Sequence, residues 1–396
     1  MKLAFQRKVD RIAGSLICGL FSLFPGSSKP SRKTEPRKIL VILLSEMGSL
    51  VLAAPMFGQI KEKYPEASVY ALLFEQNREM LEIIDVMPCE NIFSLDSSSF
   101  VRLAKSSISV LGKLRSLKID TVLDCELFAR ISSIYSFLSG AEIRVGFHPH
   151  TQEGLFRGNF INRPVMYNPY HHISQQFVNL VQAIDSKGIP KVRRSVSVEK
   201  KTRIVTMGDD ELGRLSEQFG KDFPHIRGNK LILIYPGGGL LPIRAWPLEY
   251  FCRLTHDFIA DGYAVGIIGM ADDKKTAHEI LAYCQNHNCI DLTGYTKTIR
   301  ELMGLFHFAS LLITNDGGPG HFAAMTPVPS IIFYGPETPV LYGPLSPNNF
   351  NFHIPLSCSP CITAYNHRNS PCDGNNVCLK MILPDQVLGK AYEMMA

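Results

Sequence analysis

Residues 311–336 read LLITNDGGPGHFAAMTPVPSIIFYGP. An apolar run stops at an acid, three glycines, a proline and a histidine packed into residues 316–321, and a second apolar run begins at Ser330. Apolar runs without polar alternation are what strands buried on both faces require, and such strands belong to parallel sheets covered by helices. The glycine-rich stretch between them is either a plain turn or an anion seat. In the second case Gly317, Gly318 and Gly320 free the backbone amides to face a phosphate at a helix start. His321 can then donate to a phosphoryl oxygen, while Asp316 braces the turn or caps the helix.

The same grammar extends in both directions. Upstream lie KLILIYPGGG (230–239), WPLEYFCRLTHDFIADG (246–262), YAVGIIG (263–269), DDKKTAHEILAYCQ (272–285), CIDLTG (289–294) and TIRELMGLFHFAS (298–310). An earlier series runs KILVILL (38–44), EMGSLVLAAPMFGQIKEKYP (46–65), SVYALLF (68–74), NREMLEIID (77–85), IDTVLDCE (119–126), a helix over 129–139, RVGF (144–147) and HHISQQFVNLVQAID (171–185). Strand–helix alternation repeated in this way predicts two doubly wound, Rossmann-like domains. Their ligand belongs in the cleft between them, at the carboxyl ends of the strands. The chain divides into an arm and linker (1–36), a first domain (37–190), a charge-rich linker (191–228) and a second domain (229–396). With 396 residues, 45% of them hydrophobic, it is long enough for two cores.

The net charge of +5 is concentrated at one end. Residues 1–38 hold nine Lys and Arg against Asp10 and Glu35, a net of +7, so the rest of the chain carries about −2. No basic stripe with interleaved aromatics crosses the body, which argues against nucleic acid as a partner. Within the arm Val9, Ile12, Ala13, Leu16, Ile17, Leu20 and Phe24 recur at helical spacing. The stretch is too short for a comfortable membrane span. It suits a helix lying on an anionic membrane surface better than a helix packed on the body or a secretory signal. Six of the ten cysteines are scattered singly, as in a reducing, cytoplasmic protein.

Three strand ends carry chemistry. Gly48 permits a tight turn after the first strand and Ser49 can cap the following helix. In YPGGGLLPIRAWP (235–247), the glycines around Gly238 let backbone approach a ligand, and Arg244 offers a fork suited to phosphate. The third is the 316–321 turn. Each alone is weak, but together they point to a nucleoside-diphosphate ligand. EGLFRG (153–158) and YNPYHH (167–172) are either acceptor contacts or ordered surface loops, and His171 with His172 more naturally open a helix than bind a metal.

These residues resemble glycosyltransferase family 9, the heptosyltransferase-like proteins of lipopolysaccharide and surface-glycan assembly. ILVILLSEMGSLVLAAP (39–55) matches the family's opening strand, Gly-Asp turn and helix. RVGF (144–147), the basic-x-Trp-Pro element at 244–247, and 316–324 against Asp-Ser-Gly-Pro-x-His-x-Ala-Ala match the rest, with Gly317 in place of serine. The resemblance covers roughly 37–390. It implies a GT-B fold, a nucleotide-sugar donor held by Gly238, Arg244, Asp316, Gly317, Gly318 and His321, and inverting, metal-independent transfer to a lipid-linked or lipopolysaccharide-type acceptor. It also implies a cytoplasmic place on the inner face of the plasma membrane. No cofactor is required for that chemistry, and no Asp-x-Asp metal motif appears.

One departure bears on mechanism. The family aspartate that serves as general base is Ser49 here, still placed to face the donor, and a serine cannot take the acceptor's proton unaided. Glu126 and Glu46 are the candidate bases at strand ends, Glu126 slightly favoured because it follows a buried-looking strand, with Asp124 a weaker third. Loss of transferase activity, leaving a nucleotide-sugar-binding protein, is the rival reading, and a nucleotide-sugar epimerase on the same architecture is another. In the loop 358–378, Cys358-x2-Cys361-x10-Cys372-x5-Cys378 has the thiol count of a structural zinc site. Two disulfides or free thiols fit the spacing as well.

Overall fold

The computed structural model describes residues 8–24, 35–44, 46–127, 129–147, 156–186, 198, 202–239, 241–364 and 369–396. The chain divides into two compact units, Met1–Val198 and Glu199–Ala396, and passes from one to the other once.

The first unit is built on six parallel strands. They are β1 (Lys38–Ile42), β2 (Ser68–Phe74), β3 (Ile92–Leu95), β4 (Thr121–Asp124), β5 (Ile143–Phe147) and β6 (Arg163–Val165), in the order β3-β2-β1-β4-β5-β6. The second repeats the winding with β7 (Leu231–Tyr235), β8 (Ala264–Gly269), β9 (Cys289–Thr293), β10 (Ala309–Asn315), β11 (Ser330–Tyr334) and β12 (Asn349–His353), ordered β12-β11-β10-β7-β8-β9. Both sheets therefore reverse direction of winding between their first and fourth strands. That switch point is where the crossover helices diverge and leave a crevice at the carboxyl ends. In the first unit it lies between β1 and β4, where Ile42 pairs with Asp124. In the second it lies between β7 and β10, where Tyr235 pairs with Thr314.

The continuous apolar runs became the central strands because helices cover both faces: Ile39, Leu40 and Ile42, like Ile232, Ile234, Leu311 and Ile313, are wholly buried. Trp246 stacks on Phe333 at 4.5 Å and donates from Nε1 to the Ile382 carbonyl at 3.0 Å. It thereby ties the C-terminal helix, Pro384–Met395, to the helix Leu248–Ala260 of the same unit.

Two stretches differ from the sequence reading. Part of the expected linker folds onto the second unit: the Thr202 amide donates to Leu345 at 2.7 Å, and helix Asp209–Asp222 is held by the fork of Arg300 on Glu211 at 2.7 and 2.8 Å. The described helical part of the arm, for its part, packs on the first unit. Its helical stretch passes through a π-turn, Asp10–Gly14, into a helix, Ser15–Phe21, that lies on helix Arg130–Leu138. Cys18 is fully buried, and Phe21 stacks on Phe137 at 4.8 Å. A side chain at Gly14 would sit 2.9 Å from the Arg130 Cβ, so only glycine lets the two helices approach this closely. The paired histidines open a helix as expected: His172 caps Ile173–Ala183, its Nδ1 accepting from the Ser174 amide at 3.3 Å.

Candidate functional site

At the second switch point three loops converge on one guanidinium. The turn after β7 runs through Gly238, where a Cβ would lie 2.8 Å from the Leu241 carbonyl, so glycine is required by the fold of the loop itself. A short 3-10 turn, Pro242–Arg244, then carries Arg244 over the sheet edge. From β10 the chain delivers Asp316, whose Oδ2 lies 3.4 Å from Arg244 Nε. From beyond β11 comes Glu337, whose Oε1 accepts from Arg244 Nη2 at 2.7 Å. Both acids are buried and Arg244 nearly so.

One cation thus sits between two carboxylates in a poorly hydrated place, and its effects on titration follow. Burial works against the Arg244 charge, but Asp316 and Glu337 outweigh it and raise its pKa further. Burial pushes the Asp316 carboxyl up, with Arg244 opposing. Glu337 is pushed by burial to about 7, Arg244 lowering it and Asp316 raising it. Tyr334, packed beneath, has its phenol raised by burial and then by both carboxylates.

Asn315 holds this arrangement together. Wholly buried at the end of β10, it donates through Nδ2 to the carbonyls of Pro236 and Gly237, both at 3.0 Å, and accepts from the Trp246 amide at 2.9 Å. The loop bearing Arg244 is thereby pinned to the strand bearing Asp316. Neither Asn315 nor Glu337 stood out in the sequence. Asn315 reads as the tail of a strand, and Glu337 hides in Gly-Pro-Glu-Thr-Pro, which reads as a turn.

The 316–321 stretch departs from expectation in one respect. Asp316 neither braces nor caps: the helix it precedes, Gly318–Ala323, has Gly317 at its N-cap with no side-chain cap, and the Asp316 carboxylate turns to Arg244 instead. This helix has only six residues, too few for a strong dipole. His321 is buried on it. Arg244 brings a guanidinium to the second switch point, where Asp316 and Glu337 both face it.

At the first switch point the helix Met47–Lys63 starts earlier than the sequence suggests. Gly48 lies in its first turn and Glu46, in extended backbone, is its N-cap. Ser49 does not cap; its hydroxyl donates to Glu46 Oε2 at 3.2 Å, and both residues are half-buried. Glu126 is buried, and its Oε1 accepts from the Leu44 amide at 2.6 Å, bridging the ends of β1 and β4. Asp124 is wholly buried in an ion pair with Arg157, which also donates to the carbonyls of Ala129, Glu126 and Phe147. Arg157, in the 153–158 stretch, is therefore an internal strut; residues 153–155 lie outside the described residues.

Among the described residues no three of His, Cys, Asp and Glu stand where they could hold a metal ion, and no disulfide joins any of the ten cysteines. Cys361 Sγ meets Ser370 Oγ at 3.0 Å, Cys358 and Cys372 are exposed, and Cys378 is buried against Gly335, its thiol raised by that burial. The spacing expected for zinc brings the four sulfurs into one loop but gives them different surroundings. Among the described residues no helix is long and apolar enough to cross a membrane.

Two Rossmann-like units of identical winding make up the GT-B fold. The family 9 profile, glycosyltransferase family 9 (heptosyltransferase), matches residues 108–370, and the chain belongs to that family. Lipooligosaccharide heptosyltransferase 2 of Haemophilus influenzae is 26% identical over 328 residues, covering 78% of this chain and 86% of that protein. Among solved structures, the Escherichia coli ADP-heptose lipopolysaccharide heptosyltransferase II superposes with a TM-score of 0.71 at 20% identity, over 90% of this chain and 98% of that one. An Escherichia coli heptosyltransferase solved with ADP gives a TM-score of 0.62 at 13% identity, over 90% of this chain and 99% of that one.

Proposed function

We propose that this protein transfers a sugar, a heptose or a close relative, from a nucleoside-diphosphate donor to a lipopolysaccharide-type or other surface-glycan acceptor on the cytoplasmic face of the membrane. The observation that carries the reading is Arg244, fixed after β7 at the switch point of a family 9 chain by residues from the ends of β10 and β11. The second unit takes the donor, with Arg244 and the 316–321 turn on its diphosphate, and the first unit takes the acceptor. ADP is the nucleotide to try first, since a solved relative holds it.

In the reaction the acceptor hydroxyl attacks the anomeric carbon, the new C–O bond forms with inversion, and the bond from that carbon to the phosphoryl oxygen breaks. The leaving diphosphate keeps the electron pair, and Arg244 stabilises the charge that develops there, with no metal ion in the scheme. The acceptor's proton goes to a carboxylate. The geometry favours Glu46 for this role: it is half-buried, and Ser49, standing at the family aspartate's position, orients it through a hydrogen bond. Glu126 is committed to the Leu44 amide and holds the strand ends in place.

The test is release of ADP from ADP-heptose with a deacylated core-oligosaccharide acceptor, with donor binding measured separately by calorimetry. Binding without turnover, for every acceptor tried, would favour the rival reading of a nucleotide-sugar-binding protein. Absence of binding by any nucleotide sugar would defeat the proposal outright.

A further inference from the structure

The N-terminal helix has two apolar faces, and the body uses only one. Gly14, Cys18 and Phe21 face inward, where Phe21 meets Phe137 and the cluster of Cys18, Phe160 and Ile161 closes. Ile12, Leu16, Ile17, Leu20, Leu23 and Phe24 remain exposed, Leu16 at 71% and Leu20 at 58%. From residue 12 to residue 24 no charged side chain interrupts this outer stripe. A helix that served only to cover the body would turn a polar face to water, as amphipathic surface helices do.

The charges around the stripe say what should cover it. Lys8 and Arg11 are exposed at its N-terminal end, and Lys2 and Arg7 precede them in sequence. The sole acid of the first 34 residues, Asp10, is turned inward: its carboxylate accepts from the amides of Arg130 at 3.0 Å and Ile131 at 2.9 Å. What faces outward is therefore apolar and positive only. That combination is complementary to the headgroups and acyl boundary of an anionic bilayer.

The docking also fixes which part of the molecule follows the lipid. Arg130 and Ile131 open the helix after β4, so Asp10 is anchored at the carboxyl edge of the first sheet, the edge that carries Glu126 and Glu46. At the helix's other end Ser22 Oγ accepts from the Asn159 amide at 2.9 Å, just before β6 at the amino edge, so the helix runs down the flank of the unit along helix Arg130–Leu138. We propose that the exposed stripe of residues 12–24 is a bilayer-seating surface, built rigidly into the first unit, that holds this flank against anionic phospholipid with its basic Lys8–Arg11 end at the strand-end edge. This deepens the function proposed above, since a lipid-anchored acceptor would be met where it emerges.

The experiment is flotation of the full chain with vesicles of phosphatidylcholine, with and without phosphatidylglycerol. Wild type should float with the anionic vesicles. Leu16→Glu with Leu20→Glu should lower partitioning by about 100-fold, each side chain contributing roughly tenfold, with melting temperature and ADP affinity unchanged because both residues are exposed. Lys8→Glu with Arg11→Glu should erase most of the preference for anionic vesicles. Wild-type partitioning by the leucine variant would overturn the proposal. So would a wild-type dimer, seen by light scattering, that the variant converts to monomer while neither form floats, since a second copy would then cover the stripe. Vesicle binding is read without turnover, so failure of the transferase reading leaves this result interpretable.

Discussion

Replacing Glu337 with glutamine should remove a pH-dependent weakening of the second unit. In the folded chain burial holds the Glu337 carboxyl at about 7, against an ordinary value of 4.5 that it regains on unfolding. Between those values the folded protein keeps a proton that the unfolded chain has released. Stability is therefore fully present below about pH 4.5 and declines as pH rises through about 7, where Glu337 must ionise in place beside Asp316. At about 1.4 kcal/mol per pH unit the gap amounts to about 3 kcal/mol. Glutamine keeps an oxygen for the Arg244 guanidinium but cannot ionise, so the variant escapes the decline. The chain's single tryptophan, Trp246, is buried in this unit two residues from Arg244 and reports its unfolding by fluorescence. Urea denaturation at matched ionic strength should show the variant gaining about 2–3 kcal/mol on wild type between pH 5 and pH 8. A stability difference that is the same at both pH values would refute the reasoning.

Glu46→Gln should lower turnover by roughly 10²–10⁴-fold while ADP affinity stays within a few-fold, as expected for loss of a general base. Glu126→Gln should instead lower the melting temperature of the first unit, and a larger rate loss there than in Glu46→Gln would reverse the assignment. Arg244→Ala should weaken ADP binding by roughly 10- to 100-fold in calorimetry, and it should destabilise the second unit by about 3–5 kcal/mol because two buried acids lose their cation. Deleting residues 1–24 removes the Asp10 cap and exposes Phe137 and Phe160, so melting should fall by several degrees; an unchanged melting temperature would mean the helix does not dock in solution.

The strands that could be read in advance were those whose burial on both faces leaves no ambiguity. KILVILL, SVYALLF and KLILIYP had only one way to hide their side chains. The strands that went unread, β3, β6 and β12, lie at sheet edges, where Arg163-Pro164-Val165 and the polar alternation of Asn349–His353 are tolerated because one flank needs no partner. The same limit applied to the site. Arg244 and Asp316 were legible because a charge at the end of an apolar run is conspicuous. Asn315 and Glu337 act through partners about 80 and 90 residues away in the chain, and no local pattern marks such contacts. The start of the Met47 helix was misjudged because Gly48 suggested a turn, whereas the extended backbone of Glu46 already supplies one. Cysteine spacing constrains the chain and not the sulfurs, so the separate surroundings of the four thiols carry no mark in the sequence.

The single passage of the chain between units has a practical consequence for how the protein can be studied and remade. Each half closes its own hydrophobic core, and the C-terminal helix stays with the second. A cut near Val198 severs one covalent connection and no strand. The halves are thus suited to split-intein ligation, with isotope labels confined to one at a time, and to exchange between relatives as chimaeras. Under the function proposed above, a chimaera that keeps the second half but borrows the first would separate nucleotide-sugar preference from glycan preference as heritable modules, open to recombination independently of each other.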